Sequence, residues 1–352
     1  MKKSHVVYLV CTAALVGTGL GAAPAGSVHR THVVHPGESI QKAVDAAEAG
    51  DTVLVTAGTY HESVKVSTPG LTLRGTGRHT VIRPGTEKAA GTCAEGGNGV
   101  CVVGTKDKKV KGVTVADLTV TGFTRTGVYS VATDGLTVRN VTAVKNGVWG
   151  IAQESSVHGF FLGNTAEDNG DAGIFLANTI TAEEGAQDTE GTVVARNRLE
   201  GNRIGVTVRR LRNLAVEDNH VTGNCAGVFV VGDENTPKTG DLVVRDNHVV
   251  RNNKSCPKTE RLPALQGSGI VLTGTEKVLV ADNTVEGNAG TSPLSGGIVL
   301  FKSFVGVTGE KNEVDGNRLR DNAPADLVST EAAGSNTFSG NSCRASEPAG
   351  LC

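Results

Sequence analysis

One asparagine-containing phrase recurs along the chain and restricts the possible folds more than any other feature. Each copy has an alternating apolar segment, an Asn, a short apolar segment, a second Asn, a Gly and another apolar alternation, as in GFFLGNTAEDNGDAGIFL. The first Asn of successive copies is Asn140, Asn164, Asn197, Asn219, Asn247, Asn283, Asn317 and Asn341. The second Asn recurs at Asn169, Asn202, Asn224, Asn252, Asn288 and Asn322. The copies lie 22 to 36 residues apart, which fits a unit of 22 to 24 residues with insertions.

Each copy contains three short segments of period two and no helical periodicity. Three short strands per repeat, with no helix between them, are typical of one coil of a parallel β-helix. Stacked coils place equivalent residues about 4.8 Å apart, so the side-chain amides of the repeated Asn residues can hydrogen-bond from coil to coil. The sequence therefore predicts an all-β, single-stranded parallel β-helix of about ten coils with an internal Asn ladder.

The segment before the repeats predicts a cap for the first coil. HPGESIQKAVDAAEAGDTVLV contains a helical apolar stripe at Ile40, Ala43, Val44 and Ala47, between a Pro-Gly pair and Gly50. An uncovered first coil would expose unpaired strand edges. We therefore expect an N-terminal capping helix over about residues 38–49.

The first 25 residues have the pattern of a secretory signal peptide. Lys2 and Lys3 precede an apolar run from Val6 to Leu20, and Ala23-Pro24-Ala25 supplies small residues for cleavage. The alternative is a membrane anchor, but the run is short and no charges follow it. We predict a signal peptide at 1–25, a β-helix domain at 26–352, and a secreted, extracellular protein with no membrane span after cleavage.

Composition excludes one large class of partner. The formal net charge is -2 and aromatic residues make up 3% of the chain. A nucleic-acid-binding surface needs clustered positive charge, and single-strand binding adds aromatic stacking. We therefore predict no nucleic-acid partner.

The chain resembles the right-handed parallel β-helix proteins of the pectin-lyase-like superfamily. GESIQKAV, GDTVLVTAGTYHESV and the N-x-[VL]-x-[GD]-N repeats carry this resemblance, which extends over residues 33–343. It implies a right-handed helix in which the strand before the inner Asn belongs to the second sheet, the strand after it to the third, and the Gly-Ile/Val segment to the first. The insertions at 179–190, 233–240, 303–311, 254–267 and 289–295 then flank the first sheet and form a groove, where family enzymes usually bind polysaccharide.

The six cysteines beyond the signal segment predict disulfides in an exported chain. Six cysteines allow 15 pairings. The coil alignment places Cys225 and Cys256 in the same turn of successive coils. Cys93 and Cys101 close a short loop, and Cys343 and Cys352 hold the C-terminal tail. We therefore predict these three pairs.

Outward positions of the first sheet supply the candidate site residues. Glu154 is a candidate acid, and Arg209 or Arg210 a candidate base or uronate-binding cation. Trp149, Phe175 and Phe229 are candidates for stacking on sugar rings. The structural alternative is a covered aromatic ladder, with the arginines paired to the acidic loop that contains Glu183, Glu184, Asp188 and Glu190.

Two further polar columns admit both a functional and a structural interpretation. His220 and His248 occupy equivalent third-sheet positions, with Glu200 nearby, and form either an acid–base or metal-binding pair or part of a solvated surface. Asp218, Asp246 and Asp282 stack before the Asn ladder and offer carboxylates for Ca2+. Neither a D-x-D-x-D-G loop nor a Gly-rich nonapeptide repeat accompanies them, so no cofactor is predicted.

Three functions remain open. The first is a carbohydrate-active protein that binds or modifies an acidic polysaccharide by lyase- or epimerase-like chemistry. The catalytic signatures of alginate epimerases, polygalacturonases and pectate lyases are absent, and a second outward acid for glycoside hydrolysis is missing from the first sheet. The second is a non-catalytic binding or scaffold protein at the cell surface. The third is a periplasmic-type helper of metal-site assembly, although Met1 is the only methionine and supplies no ligand.

Overall fold

The computed structural model describes residues 29–85 and 92–352. The predicted signal peptide at 1–25 lies outside these residues. No helix in the described ranges is long and apolar enough to cross a membrane.

Three long parallel sheets form the body of the molecule, as predicted. The second sheet has 12 strands: Thr31–Val34, Thr52–Val55, Thr72–Gly75, Thr114–Ala116, Thr137–Arg139, Phe160–Leu162, Gln187–Ala195, Leu211–Glu217, Gly240–Arg245, Glu276–Ala281, Glu313–Asp315 and Thr337–Ser339. The third sheet has 10: Gly58–His61, Thr80–Arg83, Thr119–Thr121, Thr142–Val144, Thr165–Glu167, Arg198–Glu200, His220–Thr222, His248–Val250, Thr284–Glu286 and Arg318–Arg320.

The first sheet has 11 strands: Val64–Val66, Val100–Val103, Thr126–Val131, Trp149–Glu154, Ala172–Ala177, Ile204–Arg209, Ala226–Val231, Ser268–Thr273, Gly296–Phe301, Leu327–Ser329 and Ser346–Glu347. A short pair, Val110–Lys111 and Thr133–Asp134, forms a separate two-stranded sheet. The chain visits the three sheets in turn, so each circuit adds one strand to each sheet. This is the architecture of a single-stranded right-handed parallel β-helix.

The core lies inside the coils. Strands alternate buried and outward-facing side chains, because successive residues of a strand point to opposite faces. The inward residues are mostly Val, Ile and Leu, for example Ile174, Val206, Val228 and Ile270 along the first sheet. β-branched side chains fit this position because they pack well on a pleated surface.

Two helices are present in the described ranges, Ile40–Ala46 and Thr92–Glu95. The first is shorter than the predicted 38–49, and it packs against Thr31–Val34, Thr52–Val55 and Val64–Val66. Its N-terminus is closed by side chains. Ser39 Oγ accepts from Lys42 N, and the Glu62 carboxylate accepts from Ile40 N at 2.7 Å and Gln41 N at 3.1 Å.

The Asn ladder is present, and all of its polar atoms are used. From Asn164 to Asn317, each side-chain Nδ2 donates to Oδ1 of the next ladder Asn at 2.9–3.0 Å and to a backbone carbonyl. Each Oδ1 also accepts the backbone N–H of the preceding ladder residue. The second series forms an equivalent ladder that starts earlier, at Asn146, and ends on the carboxylate of Asp326.

The placement of Asn140 in the ladder was wrong by one residue. Val141 occupies the ladder position, since its N–H donates to Asn164 Oδ1 at 3.0 Å, while Asn140 is exposed. Asn140 has φ 52° and shares this left-handed turn position with Asp218, Asp246 and Asp282, each at φ 55°. Asn and Asp tolerate that conformation better than most residues, which accounts for the acidic column as turn chemistry.

We expect Asn219→Leu to lower the free energy of unfolding by about 3 kcal/mol or more, because each buried group left unpaired costs about 1–3 kcal/mol. The substitution removes the acceptor of both Asn197 N and Asn197 Nδ2, and the donor to Val194 O. Chemical denaturation followed by circular dichroism measures the loss. Asn140→Gly is the matched control, because it removes a repeat Asn but keeps the left-handed turn. Similar losses for both variants would contradict an internal ladder.

Candidate functional site

The predicted groove exists above the first sheet as a cleft of about 920 Å³, here called the first-sheet groove. Its floor consists of outward side chains of successive first-sheet strands. Its walls come from the loops after those strands, which contribute Ile180, Glu183, Asp233 and Phe304, and from the loops before them, which contribute Arg261, Leu262 and Leu294. The insertions therefore flank one face of the helix, as the sequence predicted.

The aromatic candidates lie in the floor and are largely covered. Phe175 and Phe229 occupy the same outward row, with Thr207 between them, and only 1% of Phe229 is exposed. The Trp149 ring stacks on Phe175 with centroids 4.5 Å apart, and the guanidinium of Arg125 lies 5.5 Å from the Trp149 centroid. These rings form a packed floor, which resembles the covered aromatic ladder of the structural alternative more than an open stacking platform; their role in binding a sugar stays a prediction.

The exposed aromatic surface of the groove lies at its other end. Phe304 is 60% exposed, and its ring contacts that of Phe301 at 4.9 Å between centroids. Sequence reasoning missed Phe304 because it lies in an insertion, where the coil alignment assigns no direction to a side chain.

Arg209 and Arg210 are neighbours in sequence but have different environments. Arg210 ends the strand Ile204–Arg209 in a left-handed conformation, φ 54°, and its side chain is 3% exposed. Its guanidinium donates to the carboxylates of Glu183 and Asp233 and to the Ala182 carbonyl. Arg210 thus joins two wall loops to the coil, which matches the structural alternative for this residue.

Arg209 is half-buried in the groove and has no carboxylate in ion-pair contact among the described residues. Its Nη1 donates to the Ile180 carbonyl at 3.3 Å. Burial lowers the pKa of Arg209, and the approach of Arg210 and Arg261 lowers it further. An underpaired, partly desolvated guanidinium of this kind favours an incoming anion.

The loop that bears Arg261 is anchored at its base. Cys225 and Cys256 form a disulfide with Cα atoms 6.0 Å apart, as predicted. Arg203 adds two bonds, from Nη1 to Pro257 O at 2.7 Å and from Nη2 to Pro263 O at 3.3 Å. The loop therefore holds a fixed position at the edge of the groove.

Cys93–Cys101 and Cys343–Cys352 are also disulfides, in agreement with the sequence prediction.

Asp171 and Arg203 form a charged edge that sequence reasoning missed. Both lie just before first-sheet strands of neighbouring coils, and Asp171 Oδ2 accepts from Trp149 Nε1 at 3.0 Å. Burial raises the pKa of Asp171, while Trp149 and Arg203 oppose the shift. Their position one or two residues after the second ladder Asn could have identified both residues, because it is the last position before a strand of the groove floor.

Glu154 lies in a separate, smaller cleft of about 320 Å³, lined by Gly96, Asn98, Arg125, Tyr129, Glu154, Ile180 and Thr181. Tyr129 Oη donates to Glu154 Oε2 at 2.7 Å, and Ile180 N donates to Glu154 Oε1 at 3.0 Å. Burial raises the pKa of Tyr129, and the Glu154 carboxylate raises it further, so the phenol stays protonated. Ile180 separates this cleft from the groove, since Glu154 binds its N–H and Arg209 its carbonyl.

The His220–His248 pair lies on the third sheet, away from the groove. Their Nδ1 atoms are 3.1 Å apart. Over residues 29–85 and 92–352, no group of three or more His, Cys, Asp or Glu side chains is placed to hold a metal ion.

We expect Arg210→Met to lower the free energy of unfolding at pH 7 by about 1–3 kcal/mol, because it removes the buried guanidinium that joins the Glu183 and Asp233 carboxylates and the Ala182 carbonyl. Arg209→Met is the matched control, since it shortens the neighbouring side chain without breaking an ion pair. Urea denaturation of both variants measures the difference, and an equal loss would contradict the structural role of Arg210.

Acidification provides a second check on Arg210. Burial alone would raise the pKa of Asp233, but hydrogen bonds from Arg210 and Asn235 bring it below the ordinary value of 3.8. A carboxyl group whose pKa is lower in the folded state than in the unfolded state stabilises the fold at any pH above its unfolded-state pKa. That stabilisation is lost as the pH falls through the folded-state pKa. The parent should therefore lose this contribution below about pH 4, and Arg210→Met should show a shallower loss over the same window.

Comparisons with known proteins identify the family of the chain. A family model described as "Right handed beta helix region" matches residues 88–241 and 187–317, more than half of the sequence. Among curated proteins, none matches the chain.

Solved structures with the same fold include three carbohydrate-related enzymes. The A-module of mannuronan C-5 epimerase AlgE4 from Azotobacter vinelandii is 20% identical, with a TM-score of 0.55 over 86% of this chain and 89% of that one. An alginate lyase from Paenibacillus sp. str. FPU-7 is 16% identical, with a TM-score of 0.60 over 87% and 99%. DFA-IIIase from Arthrobacter chlorophenolicus A6, in complex with GF2, is 14% identical, with a TM-score of 0.56 over 89% and 85%. At these identities the likeness shows the fold, and together with the family match it establishes that the chain belongs to the right-handed parallel β-helix proteins of the pectin-lyase-like type.

Proposed function

We propose that the chain is an exported carbohydrate-active protein that binds an acidic polysaccharide in the first-sheet groove. The observation that carries this proposal is Arg209, a half-buried guanidinium without a carboxylate partner among the described residues, in a cleft of about 920 Å³. The names of two structural neighbours, a mannuronan C-5 epimerase and an alginate lyase, point to uronate polymers.

Arg261 strengthens the anion site. It is exposed on the anchored loop, lines the same groove and lies near enough to Arg209 to lower the pKa of that residue. Two like charges that face one cleft repel each other, and a bound carboxylate relieves that repulsion while accepting charge-assisted hydrogen bonds. A uronate held between the two guanidinium groups satisfies both of them.

The polymer also has an apolar surface on which to lie. Phe301 and Phe304 offer aromatic area at the end of the groove, and sugar rings pack on such faces through their C–H groups. The groove therefore has arginine side chains on one side and aromatic rings on the other. Small-molecule sites likewise combine a few polar groups with an apolar lining.

The chemical step that we propose is β-elimination or epimerisation in the smaller cleft. Glu154 accepts the C5 proton of a uronate, and Arg125 stabilises the charge that develops on the uronate carboxylate. In the elimination the C4–O bond breaks, and the Tyr129 phenol protonates the leaving oxygen. Glu154 then returns its proton to Tyr129 along the 2.7 Å hydrogen bond between them. In the epimerisation the C4–O bond stays intact, solvent water protonates the opposite face of C5, and Glu154 releases the abstracted proton to solvent.

A binding protein without catalysis is the second candidate. It is favoured by the covered aromatic floor, by the paired state of Arg210 and by the separation of Glu154 from the groove. In this case the same groove and the same arginines hold the polymer at the cell surface, and no bond is broken.

We expect the parent to bind a uronate polymer such as alginate or polygalacturonate, and Arg209→Ala and Arg261→Ala each to weaken binding at least tenfold and to reduce its salt dependence. Isothermal titration calorimetry at two salt concentrations measures both effects. Arg318→Ala is the matched control, because it removes an exposed positive charge from the third sheet. If the parent binds none of the polymers, or binds them unchanged after loss of either groove arginine, the proposal is wrong.

Catalysis has its own readout. We expect the parent to release unsaturated uronate ends, detected by ultraviolet absorbance, or to invert C5, detected by NMR of the polymer. Glu154→Gln and Tyr129→Phe should each lower the rate by about 100-fold or more while binding at Arg209 persists, because proton transfer contributes roughly 10²–10⁴-fold. A parent that binds but changes no polymer is the binding protein of the second candidate.

A further inference from the structure

The separation of the two ring nitrogens in the His220–His248 pair is compatible with two ligands of one metal ion. The residues are direct register partners on neighbouring third-sheet strands, so their Cα atoms are held at the spacing of adjacent strands. The two Nδ1 atoms are 3.1 Å apart. Two nitrogens bound at 2.0–2.1 Å to one ion, at angles from square-planar to tetrahedral, lie about 2.9–3.4 Å apart. The observed separation falls inside that interval.

The surroundings of the pair are compatible with a cation. His220 is flanked in register by Arg198, whose guanidinium is already paired with the Glu200 carboxylate. On the other side, His248 is followed by the uncharged Thr284. Asp218 and Asp246 precede the two histidines by two residues, at an adjoining turn where Arg245 lies 3.9 Å from the Asp246 carboxylate.

We propose that His220 and His248 form a surface site for a divalent transition-metal ion, with both Nδ1 atoms as ligands and water in the remaining positions. The ring that donates its Nδ1 proton to the other ring moves that proton to its own Nε2 when the metal binds, so no further base is required. The preference should follow Cu2+ above Ni2+ and Zn2+ for imidazole ligands. The site lies on the third sheet, outside the groove.

Neutral imidazoles are the form that binds metal, and the structure favours that form at His220. Burial lowers the pKa of His220, and the proximity of His248 and Arg198 lowers it further, while Glu200 opposes the shift. A less readily protonated His220 ring keeps a nitrogen lone pair available to a metal ion.

The test uses the secreted chain purified without a polyhistidine tag. We expect Zn2+ and Cu2+ to bind the parent at one ion per chain by isothermal titration calorimetry and to raise its melting temperature, since a ligand of the native state alone stabilises it. His220→Gln and His248→Gln should each weaken binding at least tenfold and abolish the rise in melting temperature. The double variant should lose no more than either single variant, because one ion needs both nitrogens.

His79→Gln is the matched control, since it removes an exposed histidine from elsewhere on the surface and should leave binding unchanged. Melting temperatures measured in chelator establish that all variants fold. Equal binding by the parent and His220→Gln, or an equal loss in His79→Gln, would overturn the proposal and leave the pair as an ordinary hydrogen bond.

Discussion

Hydrogen bonding between identical side chains in successive coils is the interaction on which the structure depends. Within the ladder, each Asn donates to the side-chain oxygen of the Asn that the next coil places at the same position, so a slip of one residue would break these bonds in every coil. From Thr165–Glu167 to Arg318–Arg320, the third-sheet strands have one ladder before each strand and the other after it. The two ladders therefore hold the inward Val and Ile residues over one another, although apolar packing alone would tolerate several registers.

This fixed register explains how the groove is built. Because the coils are aligned, a residue at one strand position joins a row with its equivalents above and below, as Phe175, Thr207 and Phe229 do. When the side chains of such a row pack against one another, they form the floor of the groove even if they are aromatic. Charge and shape then come from the insertions, which are free of the repeat and reach the groove from both sides of the first sheet.

The repeats allowed most of the fold to be predicted. Three strands per coil, the internal ladder and the Cys225–Cys256 disulfide follow from the phase of the repeated Asn. The sheet assignment and the position of the groove followed from the family resemblance, and the other two disulfides from the short loop and the tail that they close. Asn140 was misplaced because the ladder position and the left-handed turn position are adjacent in sequence, and Asn is common at both. Only the hydrogen bonds identify the ladder position. In that coil Val141 occupies it and bonds to Asn164 through its backbone N–H alone.

The site was harder to predict because a guanidinium takes its role from its partners. Arg209 and Arg210 have the same chemistry and adjacent positions, yet a single left-handed residue, φ 54° at Arg210, directs one side chain into the wall loops and leaves the other facing the groove. Arg210 pairs with Glu183 and Asp233 and offsets their negative charge, which lowers the repulsion that the proposed acidic polysaccharide would meet in the cleft. The ion pairs of Arg210 therefore serve the same end as the guanidinium of Arg209, which has no carboxylate partner among the described residues. The ion pairs offset negative charge on the groove wall, and Arg209 supplies positive charge to the groove.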